Sequence, residues 1–521
     1  MSLDPIGLVV LGNALAGVAE EMGAVLVRAA FSANIKERRD SSCALFAPDG
    51  RMVAQAAHVP VHLGSMPETV AAVLACDPAP GDVFIVNDPY TGGSHLPDIT
   101  LVAPLAIDGA VLAVAAVRAH HADVGGMRAG SMPPGATELY QEGIVIPPVR
   151  LVRGGQLDAN LLDLLLANVR QPHERRGDLD AQLAAIHLAS ERLAELAARH
   201  GAATVLEAYD AMIAYAERRT REAIRALPDG VHVAEEVLEG DGVTDDDIPI
   251  RATVEIAGDR MIVDFAGTSP AVRGNVNCPL AVTRAGCLFA LRVLLPGDIP
   301  MNAGVSAPLE VRAEPGSLVN ARPPSAVAAG NVETSSRIAD VVMAALAEVA
   351  DLPAQGQGTM NNLVLGGAGW STYETIGGGQ GASSRGPGPS GVHVAMSNTR
   401  NTPVEALELE APVRVRRYEL AYGTGGTGRH AGGDGIVREV EVLAPAALSL
   451  VADRRRIGPR GALGGEPGTV GEHRVNGAPI GGKAGVELVR GDVVHVRTPG
   501  GGGWGAPTGA VGDPNGETGG R

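Results

Sequence analysis

One turn and the strands it implies constrain this chain more than any other stretch. Ile107-Asp108-Gly109-Ala110 sits inside the apolar segment that runs from Ile99 to Val117. Asp-Gly between two apolar runs predicts a two-residue hairpin turn, because both central positions there need positive φ. The chemistry collects at the open end of that hairpin. Before it comes Asn87-Asp88-Pro89-Tyr90-Thr91-Gly92-Gly93-Ser94-His95-Leu96-Pro97-Asp98, and after it Arg118-Ala119-His120-His121-Ala122-Asp123. An antiparallel return lays the second cluster beside the first, within reach of one ion. Neutral imidazole nitrogens with one or two carboxylate oxygens commonly hold a divalent transition metal, and such a mixture suits zinc, manganese or iron alike. The pattern predicts a metal site.

Composition sets limits around that site. A chain of 521 residues has room for two to four domains and a large core. A formal charge of −17 disfavours non-specific binding to nucleic acid or to anionic membranes. Aromatic residues make up 3%, too few for stacking platforms. Lys36 and Lys483 are the only lysines, which leaves few candidates for Schiff-base chemistry. Cys43, Cys76, Cys278 and Cys287 form no Cys-x-x-Cys pair and are expected to be reduced, inert thiols. The first residues carry no basic stretch or cleavage signature, and no run of about 18 apolar residues occurs. The expectation is a cytoplasmic protein, neither secreted nor membrane-spanning.

The pattern along the chain predicts a mixed α+β fold of several domains. Asp4-Pro5 opens a helix that keeps its period to about Ala30. Ser41–Leu45 and Met52–Ala54, around Pro48-Asp49-Gly50, read as a hairpin, and Gly81–Val86 as the strand that delivers Asn87 and Asp88. Residues 159–201 and 203–226 read as a long helical hairpin with Gly201 as its stop, its charges on a solvated face. Beyond Gly230 the period falls to two, and helices return near Val282–Leu294 and Ser335–Ala350. The expected division is residues 1–158, a metal-site α/β region; 159–228, the helical hairpin; 229–420, a mixed α/β domain; 421–506, a Gly-rich, β-rich region; and 507–521, a loose tail. The Gly-rich runs at 377–381, 425–428 and 500–503 lack the phosphate-loop pattern and read as tight turns.

Motifs spread over nearly the whole chain carry a resemblance. They are Asn34–Ala44, Val61–Met66, Asn87–Asp98, His120–Gly126, Val263–Pro270, Gly330–Thr334, Asn398–Glu405 and Gly500–Gly505. Together they resemble the B-type subunits of the hydantoinase and 5-oxoprolinase family, related to the acetone carboxylase alpha subunit. Two positions depart from the family pattern: Gly423-Thr424-Gly425-Gly426 stands where Asp-Ser-Gly-Gly is common, and Trp504 and Ala506 stand where Tyr and Asp are usual. The length resembles the stand-alone B subunit.

The resemblance implies an ATP-dependent hydrolase of cyclic amides, such as hydantoins, 5-oxoproline or other lactams. A separate A-type subunit would bind ATP and phosphorylate the amide oxygen; this chain would complete the reaction at a metal, within a hetero-oligomer. Phosphorylation breaks amide resonance, and the ion makes hydroxide available near neutral pH. The family's site implies His95, Asp98 and His120 as ligands, with Asp40 a fourth candidate as ligand or base. Adjacent residues of a strand face opposite ways, so His120 is preferred over His121, and His121 and Asp123 are expected as supporting catalytic residues. His58 and His62 are candidates to line the pocket, and Arg400 to hold an anion. Asp88 reads more simply as a turn cap, whereas Glu333 and Glu405 lie in shared motifs where a functional role and a structural one stand equal. Two alternatives remain: a subunit of an ATP-dependent ketone carboxylase, and a non-catalytic assembly subunit.

Overall fold

The computed structural model describes residues 4–57, 59–62 and 64–507. His58 and, apart from Pro507, the expected tail lie outside the described residues. Within them the chain is a mixed α/β, multi-domain protein built on four sheets.

The first sheet holds β1 (Ser41–Phe46), β2 (Met52–Ala57), β3 (Val83–Val86), β4 (Asp98–Ile107), β5 (Ala110–His120), β6 (Val149–Arg153) and β7 (Gln156–Leu157). Its order is β2-β1-β5-β4-β3-β6-β7, antiparallel throughout. The hairpin joining β4 to β5 turns at Asp108 and Gly109, with φ of 51° and 82°, the backbone an Asp-Gly turn of this kind requires.

Both faces of this sheet are covered, which explains why β1 and β3 are buried at every position. Cys43, Leu45, Leu101 and Val117 face one core with α1 (Pro5–Ala29) and α5 (Pro172–His200). Ala44, Phe46, Val102 and Val114 face the other, closed by α3 (Met66–Leu74). Short α2 (Ala33–Lys36) leads from α1 into β1. Helix α1 starts where Asp4 caps Gly7 N, and it packs Leu11, Leu15, Val18, Met22 and Leu26 inward. Among the described residues it is the one helix long and apolar enough to cross a bilayer, although the sequence holds no unbroken apolar run; a third of its most apolar window is buried inside the fold.

The helical region differs from the sequence reading in one respect. The segment expected to be a single helix over 159–201 is two, α4 (Ala159–Ala167) and α5, separated where Gln171 takes a φ of 56° ahead of Pro172. A residue before proline is pushed out of the helical region, so the break sits where the chain is least able to stay helical. Helix α6 (Ala202–Arg225) follows Gly201 as expected. Two α5 charges are not solvated: Arg175 and Asp178 are buried, and Asp178 accepts from Phe31 N and Ser32 N just ahead of α2.

The second sheet, β11-β10-β9-β8, uses β8 (Gly230–Glu239), β9 (Asp247–Ala257), β10 (Arg260–Asp264) and β11 (Leu309–Arg312). Helices α7 (Leu280–Leu294) and α9 (Ser335–Leu346) close its core, and short α8 (Ala303–Ser306) docks on α6. Two further sheets enclose a third core. One is β13 (Trp370–Glu374), β12 (Asn362–Gly367), β16 (Ala446–Val451) and β19 (Lys483–Leu488). The other is β14 (Val413–Ala421), β15 (Gly435–Val442), β20 (Val493–Arg497), β17 (Glu472–Val475) and β18 (Ala478–Ile480), with α10 (Val404–Glu410) at its edge. The first of these draws strands from both sides of residue 420.

The Gly-rich runs are not mainly turns. Gly500–Gly503 runs through the middle of a bundle of extended segments tied by backbone hydrogen bonds: Gly426 N to Gly501 O, Gly501 N to Gly433 O, Gly502 N to Gln355 O, and Ala382 N to Gly502 O. A Cβ on Gly501 would fall 2.0 Å from Gln380 O, and one on Gly502 2.1 Å from Arg460 O. Glycine is needed there for backbone-to-backbone approach rather than for turning.

Candidate metal centre

The strand pairing assembles the site. Asp98 is the first residue of β4 and His120 the last of β5, and they are direct partners in the ladder. His95 lies in the turn that feeds β4, where Asp98 N donates to His95 O at 3.1 Å. One ligand atom from each of His95, Asp98 and His120 lies within 4.8 Å of the others, and all three residues are buried.

The polar atoms here lack the partners that buried groups normally have. Both ring nitrogens of His95, Oδ1 of Asp98 and Nε2 of His120 have no hydrogen bond, although His95 Nε2 and Asp98 Oδ1 are 3.4 Å apart. A buried donor or acceptor without a partner costs about 1–3 kcal/mol, so four of them in one cluster, three able to face a common point, is an expensive arrangement for a cation-free fold. Two imidazoles and a carboxylate fit a divalent transition ion, which would take one nitrogen from each ring and one carboxylate oxygen, the other His95 nitrogen carrying the proton.

The remaining atoms are held. Ser94 Oγ donates to Asp98 Oδ2, and His62 Nε2 lies 3.4 Å from the same oxygen. His62 in turn meets Ser42 Oγ through Nδ1 at 2.9 Å. Asn34 Nδ2 is 2.7 Å from His120 Nδ1 and donates to His120 O at 2.9 Å. An imidazole that offers Nε2 to a cation carries its proton on Nδ1, so the Asn34 amide must then turn its oxygen to that atom. The His120 ring stacks on Tyr373, with centroids 4.4 Å apart and planes 12° from parallel.

Electrostatics favours the liganding protonation states. Burial pushes the Asp98 carboxyl up, but His95 and His62 hold it well below the usual carboxylate range. Burial, reinforced by His95, keeps His120 well below its ordinary value, hence neutral. Asp40 borders the cluster: burial and the Asp98 charge raise its carboxyl, against the pull of His62, Arg38 and His95. It is not among the three residues whose ligand atoms converge most closely, and its backbone oxygen accepts from His120 N at 3.0 Å.

Other residues singled out in the sequence fall elsewhere. His121 turns to α5 and meets Gln182 Oε1 through Nε2 at 3.0 Å. Asp123 accepts from Gly125 N, Gly130 N and Arg170 N, which organises the loop after β5. Asp88 accepts from Tyr90 N as a turn cap. Glu333 is buried and accepts from Met360 N, and burial with the Asp453 charge lifts its carboxyl to about 7. Glu405 lies in the first turn of α10, and it and Arg400 are exposed. Asn34, Ser94, Arg38 and Tyr373 were not anticipated. The first three stand inside or beside shared motifs, whereas nothing near Tyr373 in the sequence signals it.

Known proteins resemble this chain over nearly its whole length. Residues 4–507 match the family model described as hydantoinase B/oxoprolinase. An uncharacterised protein of Methanocaldococcus jannaschii is 41% identical, over 97% of this chain and 91% of its own length. The 5-oxoprolinase 1 of Arabidopsis thaliana is 39% identical, over 96% of this chain but 42% of its own length, so this chain spans less than half of that relative. The crystal structure of the ATP-dependent caprolactamase from Pseudomonas jessenii superposes with a TM-score of 0.91 at 29% identity, covering 97% of this chain and 92% of that one.

Proposed function

The chain belongs to the hydantoinase B/oxoprolinase family, and from that premise we propose that it is the metal-bearing, B-type part of an ATP-dependent cyclic-amide hydrolase. The observation that carries the reading is the convergence of unpartnered, buried atoms of His95, Asp98 and His120 in a chain of this family. The similarity to a 5-oxoprolinase and to a caprolactamase supports a lactam as substrate class. An A-type partner would bind ATP and phosphorylate the amide oxygen. Two observations support that division: this chain has no phosphate-loop pattern, and the plant relative has more than half of its length beyond the shared part.

His95, Asp98 and His120 would hold the ion, with Asp40 as a fourth ligand or as the base. When bound, a divalent transition metal supplies Lewis acidity and makes hydroxide available near neutral pH. The chain's own groups do the rest. As base, Asp40, buried beside the cluster with a raised carboxyl, would take the proton from the attacking water and return it to the ring nitrogen as the carbon–nitrogen bond breaks, leaving an acyl phosphate that a second water cleaves to carboxylate and phosphate. Ser94 fixes Asp98, and Asn34 and Tyr373 fix the His120 ring. Burial of His95, Asp98 and His120 would keep bulk water from the ion.

The test is reconstitution with the A-type partner. The assembled proteins, given ATP and 5-oxoproline, hydantoin or caprolactam in turn, should release ADP and a ring-opened product from at least one, and His120→Ala should abolish ring opening. Ring opening undiminished by His120→Ala, in a folded complex, would contradict the proposal.

A further inference from the structure

Two side chains from distant parts of the sequence meet behind the cluster. Tyr373 belongs to β13, in the third sheet, yet its ring covers one face of the His120 imidazole at 4.4 Å. The ring is fixed at both ends. Its hydroxyl donates to Asn362 Oδ1 at 2.7 Å, and Asn362 Nδ2 donates to Val451 O at 2.9 Å, so the far end is tied to β12 and β16. Its own carbonyl accepts from Arg38 Nη1, and the Arg38 guanidinium lies 5.1 Å from the ring centroid. Arg38 also donates to Thr375 Oγ1 at 2.6 Å and Thr399 Oγ1 at 3.2 Å. Arg38 is buried, two residues before Asp40, and spends these bonds on neutral acceptors of the C-terminal half.

Resting on the metal reading above, we propose that Tyr373 is a positioning residue of the metal centre, so that His120 takes its liganding orientation only against the docked C-terminal sheets. A terminal imidazole torsion is broad when unopposed. Asn34 restrains the ring at Nδ1, His95 meets it edge-on at 4.9 Å, and Tyr373 closes the remaining face. The ring, not the hydroxyl, makes this contact, since the hydroxyl is occupied by Asn362. Partners behind a ligand typically change metal affinity by about 10- to 100-fold when removed.

The test uses the full chain and cobalt(II), with affinity read by chelator competition and ligand geometry by the visible absorption bands. Tyr373→Phe keeps the ring and should bind within about 3-fold of wild type with the same bands. Tyr373→Met should bind about 10- to 100-fold more weakly and shift the bands while remaining folded. If Tyr373→Met does not fold, Arg38→Lys, which gives up the fork to Tyr373 and Thr375, should show the same direction of change. A folded Met or Lys variant with wild-type affinity and bands overturns the role of Tyr373 alone. A wild-type chain that binds no cobalt overturns both this inference and the metal reading.

Discussion

Asp98 and His120 stand directly opposite each other on β4 and β5. Side chains paired this way share a face of the sheet and approach without any help from loops. Moving one strand by a single residue would send one of the two to the opposite face. The Asp108-Gly109 turn alone would set Asp98 opposite Ala119; a bulge between Leu105 and Ala106 shifts the ladder by one residue, so turn and bulge together hold the two ligand candidates on one face. The next pair on that face is Thr100 and Arg118, where Arg118 Nε donates to Thr100 Oγ1 at 2.8 Å.

Arg118 is fully buried and hydrogen-bonds neutral groups: Thr100, Ser65 and Thr69 hydroxyls and the Gly92 carbonyl. It ties the Gly92–Ser94 loop, and so His95 and the Ser94 partner of Asp98, to the sheet. Arg118→Met removes the donor to the Thr100, Ser65 and Thr69 hydroxyls, Gly92 O keeping its bond from Thr69 Oγ1, and should lower stability by about 3 kcal/mol. Urea unfolding measures it; a loss below about 1 kcal/mol would show that the loop does not depend on this side chain.

Gly501 lies where two backbones pass. A Cβ there would sit 2.0 Å from Gln380 O and 2.3 Å from its carbonyl carbon. Gly501→Ala should cost about 3 kcal/mol or more, whereas Gly109→Ala, where a Cβ meets open space, should cost about 1 kcal/mol from its positive φ alone. Thermal unfolding of the two variants decides it, and equal losses would contradict the close-packing account.

Glu142 gives a pH signature. It is buried and accepts from Val327 N and Ala328 N at 2.9 and 2.8 Å, but burial outweighs these bonds and lifts its carboxyl to about 8. The folded state therefore keeps a proton that the unfolded chain releases above its ordinary value. Stability from this group is complete below pH ~4.5 and is lost as pH rises through ~8. Glu142→Gln keeps the accepting oxygen without the charge. Its melting temperature should rise relative to wild type between pH 5 and 8 and hold a constant offset above that. Parallel curves across the range would contradict the raised value.

Cys43, Cys278 and Cys287 are buried and Cys76 is exposed. Burial raises all three buried thiols, Cys278 to about 12. A thiol reagent should label Cys76 alone in the native chain and all four in denaturant. Labelling of a second thiol before unfolding would show local opening in one of the cores.

Much of this was legible because local rules and tertiary structure agree. Asp-Gly between apolar runs marked the hairpin, and the hairpin returns His120 alongside His95 and Asp98; the bulge between Leu105 and Ala106 that puts Asp98 opposite His120 has no local signal. Asp4-Pro5 and Gly201 marked helix ends in the places observed. The break before Pro172 was written in the sequence and was outweighed by the helical period on either side. The Gly-rich runs misled because glycine serves turning and close approach equally, and only neighbouring backbones distinguish them. Arg38 and Tyr373 could not be paired from the sequence: 335 residues separate them, and their contact belongs to the docking of the C-terminal sheets.

The central claim is a metal at His95, Asp98 and His120, and elemental analysis of the purified chain beside its His95→Ala/His120→Ala variant tests it most directly. The account predicts about one transition-metal ion per wild-type chain and none in the variant, which should stay folded. Metal in neither protein, even after reconstitution with zinc, manganese and iron, would contradict it.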